Sequence, residues 1–166
     1  MEFLASIENL PFSIWVRESS SLWAYPGILF LHTVGLGLVA GISAAVALRV
    51  LGVARDIPLA PLTSFYRVLW LGFWVNAASG VVLLMADATT KLVNPVFYVK
   101  MVFVALAMIV TMRLRRRLSD VSVSGAARAL AVATLVCWTG AITAGRLMAY
   151  LGPVSGAPGL NNSFGH

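Results

Sequence analysis

Four long runs of apolar residues, separated by short polar stretches, set the organisation of the chain. The runs cover about residues 26–51, 66–85, 96–112 and 126–151. Each is close to the roughly 20 residues that a helix needs to cross the hydrocarbon core of a bilayer. The pattern therefore predicts an all-α integral membrane protein whose single domain is a bundle of four transmembrane helices.

Residues 1–22, ahead of the first run, have a different and amphipathic pattern. Apolar side chains recur there at helical spacing and are followed by a proline: Phe3, Leu4, Ile7, Leu10 and Pro11. This spacing predicts a short helix lying in the membrane interface, with Trp15, Trp23 and Tyr25 at the level of the headgroups. A purely connecting tail is the alternative. At the other end, residues 152–166 are rich in Gly, Pro and Asn, and we expect a loose tail.

Composition and charge narrow the class of protein. The chain is 60% hydrophobic and only 11% charged, whereas soluble domains are about 25% charged. Its formal net charge of +6 is clustered, because most basic residues lie in or beside two of the loops: Arg49, Arg55, Arg67, Arg113, Arg115, Arg116, Arg117 and Arg128. Such clustering is typical of membrane topology and not of a nucleic-acid surface. We therefore expect no nucleic-acid partner, a bacterial inner-membrane location, cytoplasmic arginine loops and periplasmic termini.

Four ionisable side chains are expected at similar depth near the outer face of the membrane. At about 1.5 Å of rise per residue, His32 lies roughly 25 Å above Arg49, and Arg146 roughly 27 Å above Arg128. On the same scale, Asp87 lies roughly 30 Å up its helix and Lys100 roughly 20 Å up. Ionisable groups inside a membrane are costly and usually functional. Their common depth predicts a site among the four helices.

Helical periodicity predicts which faces line that site. On each helix the polar residue continues a stripe of small or polar side chains at spacings of three, four, seven or eleven. The stripes are His32, Gly35, Val39 and Ser43; Gly72, Asn76, Ser79, Gly80 and Asp87; Lys100, Val104, Ala107 and Thr111; and Thr139, Thr143 and Arg146. We expect these stripes to face the bundle interior.

The possible ligands restrict the chemistry of the site. One in-span histidine, one cysteine and no inward glutamate cannot form a closed zinc or copper site. Haem requires less, because a single axial histidine is enough. His32 is then the candidate ligand to the iron of haem b. Around it we expect either an open sixth position or a methionine ligand, Met101 or Met148. Lys100 and Arg146 are expected at the propionates, and Asn76 either beside the cofactor or joining two helices.

Two stretches carry a resemblance to a known family. LHTVGLGLVAGISAAVALRVLG, with His32 and Arg49, and NPVFYVKMVFVALAMIVTMRLRRRL, with Lys100, resemble helices of HemJ-type protoporphyrinogen oxidases. That resemblance implies a tetrapyrrole at His32 and Lys100, and oxidation of protoporphyrinogen as the reaction. The tryptophan that usually follows the histidine in that family is absent here. The segments SLWAYP, LHTVGLGLVAG and WVNAASGVVLL more closely resemble an uncharacterised family of four-span bacterial membrane proteins, which implies no activity.

Other functions compete with a haem or porphyrin protein. The chain could be a structural or accessory subunit of a larger membrane complex, with no cofactor and with His32 and Arg146 satisfied by contacts with other helices or with a partner. Asp87 and Arg146 could also simply form an interhelical ion pair or extend to the outer headgroups. It could also be a small transporter subunit that uses His32 and Asp87 as a proton relay. For the haem protein, ligation by two histidines would require a second copy of the chain. Gly37 and Gly41, small residues at spacing four, are the predicted dimer face.

Overall fold

The structure, a computed structural model, describes residues 2–53, 58, 64–118 and 124–150, and every regular element in them is helical. Two short helices come first, α1 (Glu2–Glu8) and α2 (Pro11–Glu18). Four long helices follow, with one short helix among them: α3 (Tyr25–Leu51), α4 (Tyr66–Met85), α5 (Ala88–Val93), α6 (Pro95–Arg117) and α7 (Gly125–Tyr150). The expected loose tail, 152–166, lies outside the described residues.

The four long helices confirm the predicted membrane bundle. Each is long and apolar enough to cross a bilayer. Large apolar side chains such as Phe30 (67% exposed), Leu71 (62%) and Val136 (59%) face away from the bundle, as expected of surfaces in contact with lipid. The third span is longer than the predicted 96–112, because α6 continues to Arg117. Arginine forms helix readily, and cations in a last turn interact favourably with the helix dipole.

Local sequence signals explain where the helices begin and end. Pro26 lies in the first turn of α3, where the missing N–H costs nothing. Gly52 ends α3 with φ of 100°, a left-handed conformation that glycine adopts without strain. At the start of α6, the Asn94 side chain accepts a hydrogen bond of 2.9 Å from the Val96 N–H, and Pro95 follows Asn94 in the first turn.

The bundle is built from three close helix pairs. Helix α3 packs against α4 and α7, and α7 packs against α6, whereas α4 and α6 share few close backbone approaches. Side chains from all four helices still meet in one apolar cluster that includes Val39, Leu69, Ala107 and Trp138. The result is a bundle whose α4–α6 side is its most open side.

Two glycines allow the α3 and α4 backbones to touch. A Cβ atom added at Gly35 would lie 2.7 Å from the Asn76 amide nitrogen and 2.8 Å from the Gly72 carbonyl oxygen. A Cβ atom added at Gly72 would lie 2.7 Å from the Leu38 Cβ. Such contact between backbones is typical of small residues at helix crossings in membranes. The crossing therefore fixes the rotation of α3 against α4.

The N-terminal segment is a pair of helices and not the single interfacial helix predicted from the sequence. Pro11 begins the second helix, because a proline fits a first turn but not a helix interior. The Ser13 hydroxyl donates to the Ile7 carbonyl at 2.8 Å and joins α2 to the end of α1. Phe12 and Trp15 stack and are about half exposed, as suits a segment at the interface.

Glu8 anchors this helix pair to the bundle. Its carboxylate accepts hydrogen bonds from the Thr89 N–H (2.7 Å) and the Thr89 hydroxyl (2.8 Å), at the start of α5. Burial acts to raise the pKa of Glu8, but the two hydrogen bonds from Thr89, helped by the charge of Arg17, outweigh it and hold the pKa below its usual 4.5. Docking is therefore favoured by the ionised carboxylate.

Acidification is expected to release the N-terminal helices from α5. A lowered pKa stabilises the docked state fully above the usual pKa of 4.5, and this stabilisation is lost as the pH falls through the lower pKa of the folded protein. The protection factor of the Thr89 amide in hydrogen exchange measures the release, because it corrects for the intrinsic pH dependence of exchange. Glu8→Gln should show a low protection factor already at pH 7 and little further change on acidification. Equal exchange in both proteins at pH 7 would contradict this role of Glu8.

Candidate functional site

The His32 imidazole lies in the groove between α3 and α4. It is half-buried, and its Nδ1 is 2.9 Å from the Asn76 carbonyl oxygen and 3.2 Å from the Ser79 hydroxyl oxygen. The ring lies beside Gly80, where an added Cβ atom would come within 3.1 Å of the His32 Cε1. Glycine at position 80 therefore makes the space that the imidazole occupies.

The hydrogen bonds around Nδ1 determine the tautomer of His32. The Asn76 carbonyl oxygen can only accept, and at 2.9 Å it is closer to Nδ1 than the Asn76 side-chain amide nitrogen, a possible donor at 3.4 Å. The shorter contact favours a proton on Nδ1. Ser79 directs its own hydroxyl hydrogen to the Val75 carbonyl (2.6 Å) and does not compete as a donor to Nδ1. An Nδ1–H bonded to a backbone carbonyl leaves Nε2 with its lone pair, which is the arrangement found in histidines that bind metals. Nε2 has no hydrogen-bonding partner among the described residues.

Asn76 joins the two helices at this point. Its side-chain NH₂ donates to the His32 carbonyl oxygen at 2.7 Å, while its own backbone carbonyl accepts from the imidazole. Asn76 thus bonds to both the backbone and the side chain of His32. Of the two roles expected for Asn76, this contact supports the joining of two helices.

Of the two cations expected at the propionates, Lys100 on α6 and Arg146 on α7, Lys100 is the one close to His32. It is half-buried, packs against Gly145 of α7, and is close enough to His32 for its positive charge to act on the imidazole. No carboxylate among the described residues pairs with its ammonium group. A half-buried cation with no counterion favours an anionic ligand.

Lys91 joins the same charged cluster, although the sequence prediction did not include it. Its ammonium donates to the Leu83 carbonyl in the last turn of α4 (2.7 Å) and lies 3.8 Å from the Asp87 carboxylate. Burial lowers the pKa of Lys91, and the Asp87 charge partly opposes this. The spacing of four between Asp87 and Lys91, directly after a helix end, is the sequence signal that could have placed it.

The predicted stripes on α3, α4 and α6 are confirmed, and the stripe on α7 is wrong. Gly35, Val39 and Ser43, Gly72 and Ser79, and Ala107 and Thr111 are buried. By contrast, Thr139, Thr143 and Arg146 are exposed. The buried face of α7 consists of Ala127, Ala131, Thr134, Trp138, Ala141 and Ala144. Apart from Trp138, these are small side chains, which allow α7 to pack closely against α3 and α6. Arg146 therefore does not face the bundle interior.

The remaining predicted residues have varied positions. Met101 is 49% exposed on the outside of α6, whereas Met148 is partly buried on α7. Asp87 lies 3.8 Å from the Lys91 ammonium, and the predicted ion pair between Asp87 and Arg146 does not occur among the described residues. Of the four ionisable residues that we expected at a common depth, only His32 and Lys100 lie near each other. Lys91 joins them. We call this end of the bundle the histidine end.

The arrangement offers one ligand nitrogen and two cations. No group of three or more His, Cys, Asp and Glu side chains that could hold a metal ion occurs in the part of the chain that the structure describes. A neutral imidazole with a free Nε2 can bind the iron of a haem or accept a proton. The Lys100 ammonium can bind a carboxylate, whereas Lys91 is already paired with Asp87. This donor set fits a haem, whose porphyrin supplies four of the iron's ligands and two carboxylates.

Comparison with known proteins assigns no family. No family model, no curated protein and no solved structure matches the chain. The function is therefore inferred from the residues of this chain and their geometry.

Proposed function

We propose that the protein binds haem b, or a closely related porphyrin, at the histidine end of the bundle, with His32 Nε2 as the axial ligand. One observation carries the proposal. Within a membrane span, the His32 Nδ1 lies 2.9 Å from the Asn76 carbonyl oxygen, whereas Nε2 has no hydrogen-bonding partner among the described residues. This pairing supports a proton on Nδ1 and a lone pair on Nε2.

The position of Lys100 also favours haem as the ligand. Its ammonium lies near the imidazole, inside the span, and has no carboxylate partner among the described residues. A propionate would supply the counterion by a charge-assisted hydrogen bond. Arg146, the other cation expected at a propionate, is exposed and is not part of this proposal.

A bound haem would supply one-electron chemistry, and the chain would hold and orient it. His32 would bind the iron, and Asn76 would fix the ring orientation and keep the proton on Nδ1. Met148 stays the candidate for a sixth ligand within the chain. The Gly37 and Gly41 face, which is exposed and has no atoms within 4 Å of an added Cβ, offers a packing surface to a second copy.

We further propose the bacterial inner membrane as the location, with the arginine-rich helix ends in the cytoplasm. The histidine end would then face the periplasm. An electron or a tetrapyrrole would be exchanged near that surface.

Titration of the detergent-solubilised protein with haemin tests the proposal. We expect the Soret band of free haemin to shift and sharpen until one haemin per chain is bound. A protein that leaves the haemin spectrum unchanged, and that co-purifies with other polypeptides, would contradict the proposal and favour an accessory subunit.

Lys100→Met is expected to weaken haemin binding about tenfold, because a hydrogen bond to a charged group is lost. The Soret position should stay as in wild type, since the axial ligand is intact. Arg146→Met is the matched control, because it removes an exposed cation whose predicted depth in the membrane is similar. This variant should bind haemin like wild type. Equal weakening in both variants would show that general charge, and not Lys100, determines affinity.

A further inference from the structure

The opposite end of the bundle contains a cavity of about 520 Å³ on the open α4–α6 side. It is lined by residues at the start of α4 and near the end of α6: Ser64, Tyr66, Arg67, Trp70 and Arg115. Helices α4 and α6 share few close backbone approaches, so this space is not filled by backbone packing. We call it the arginine cavity.

Two cations line the arginine cavity, and neither has a counterion among the described residues. The Arg115 guanidinium lies over the Tyr66 ring, 4.8 Å from its centroid, and this cation–π contact fixes its position. Arg67 lines the same space from α4. Neither arginine forms an ion pair with a carboxylate among the described residues. Two guanidinium groups beside one cavity favour a phosphate, which arginine can bind through two hydrogen bonds at once.

Tyr66 provides a second and independent indication of a ligand. The side chain is only 2% exposed, and its hydroxyl is the one buried side-chain polar atom among the described residues that has no hydrogen-bonding partner. Buried hydroxyls are nearly always paired in folded proteins, because losing water without replacement is costly. An oxygen atom of a ligand in the adjacent cavity would provide the missing partner.

Apolar surroundings indicate that the phosphate belongs to a lipid. Trp70 lines the cavity one helical turn further into the span, and it is 37% exposed. Trp74, one more turn along the same helix, is 64% exposed. Exposed tryptophans near a helix end are typical of the level where headgroups meet hydrocarbon. Acyl chains can pack on this face, whereas free phosphate would gain nothing from it.

From these contacts we infer that the arginine cavity binds the headgroup phosphate of an acidic phospholipid. Arg67 and Arg115 would bind the phosphate oxygens, and Tyr66 would donate its hydroxyl hydrogen to the same ligand. Basic pockets between transmembrane helices bind acidic headgroups in this way. The inference is independent of the proposed haem site, because it involves other residues at the other end of the bundle.

A second cavity provides a matched control. It measures about 500 Å³ and is lined by Arg113, Arg116 and Arg117 together with Ala126, Ala129 and Leu130. Its arginines are also exposed cations near the end of α6. No unpaired buried polar atom and no aromatic side chain lines it. Removing two of these charges therefore changes the net charge as much as removing Arg67 and Arg115.

Native mass spectrometry of the full-length protein, released from nanodiscs that contain phosphatidylglycerol and phosphatidylcholine, tests the inference. We expect wild type and Arg113→Gln/Arg117→Gln to retain one phosphatidylglycerol per chain. Arg67→Gln/Arg115→Gln should retain about twentyfold less, since each cation near an acidic lipid contributes to affinity. Equal loss in both double variants would overturn a specific site and indicate general electrostatic attraction.

Two further measurements distinguish a loss of lipid binding from a loss of folding. Tyr66→Phe removes only the hydroxyl, so the lipid-free protein should unfold at the same temperature or higher, whereas added phosphatidylglycerol should stabilise it less than wild type. An equal lipid-dependent shift in both proteins would overturn the role of the hydroxyl. Inorganic phosphate should not reproduce the shift, and if it does, the ligand is a free phosphate and not a lipid.

Discussion

His32→Ala is expected to abolish the characteristic spectrum of the haemin-loaded protein. The variant removes His32 Nε2, the proposed axial ligand to the iron. Haem could then be held only through its propionate at Lys100, without an axial ligand from α3. We expect the shifted Soret band to disappear and the affinity to fall about a hundredfold or more, as for other changes in which a metal site loses support. Absorption titration with haemin measures both effects.

Two control variants separate ligation from packing. His32→Gln keeps an amide donor for the Asn76 carbonyl but removes the imidazole, so the spectrum should be lost while thermal stability falls less than in His32→Ala. Thr33→Ala changes the next residue, whose exposed hydroxyl bonds only to the Leu29 carbonyl of its own helix, and it should bind haemin like wild type. A wild-type Soret band in His32→Gln would rule out His32 as the ligand.

Gly35→Ala is expected to cause the largest loss of stability among single substitutions in the spans. The new Cβ atom would lie 2.7 Å from the Asn76 amide nitrogen and 2.8 Å from the Gly72 carbonyl oxygen. Both are backbone atoms, so no side-chain rotation relieves the contact and the helices must separate. We expect the free energy of unfolding to fall by roughly 2 to 3 kcal/mol, the usual cost of overpacking. Denaturation in mixed micelles measures it.

Gly37→Ala is the matched control two residues further along α3. No atom of the described residues lies within 4 Å of the Cβ that it would add, and the position is exposed. Its unfolding free energy should stay within about 0.5 kcal/mol of wild type, or rise slightly because alanine favours helix. Separation of α3 from α4 should also disturb the hydrogen bond between His32 and Asn76. Equal stability of the two variants would contradict the close crossing.

Much of the fold was predictable because membrane spans depend on length and hydropathy, which the sequence states directly. Helix α6 is longer than predicted because the end of an apolar run is not the end of a helix. The apolar run ends at Met112, but the helix continues through Arg117, where the arginines interact favourably with the helix dipole. Pro11 was visible in the sequence as the break within the N-terminal segment, yet it starts a second helix and does not simply end the first.

The site was only partly predictable, because depth along a helix does not fix rotation about its axis. Gly35, Gly72 and Asn76 gave the correct faces of α3 and α4, since close backbone contact requires small residues there. On α7 the prediction was wrong, because it placed the polar residues Thr139, Thr143 and Arg146 on the inner face. Alanines and Trp138 fill its inner face, while Arg146 turns outward. The hydrogen bond from His32 to a backbone carbonyl of another helix has no signal in the sequence.

The most direct test of the account is the nature of the nitrogen bound to the iron. The chain has two histidines, His32 and His166, so pulsed electron paramagnetic resonance of the ferric haem-loaded protein, labelled with ¹⁵N-histidine, can identify the ligand. We expect strong coupling to a labelled nitrogen in wild type and in His166→Ala. A haem-loaded protein that shows no such coupling, or loses it in His166→Ala, would contradict ligation by His32.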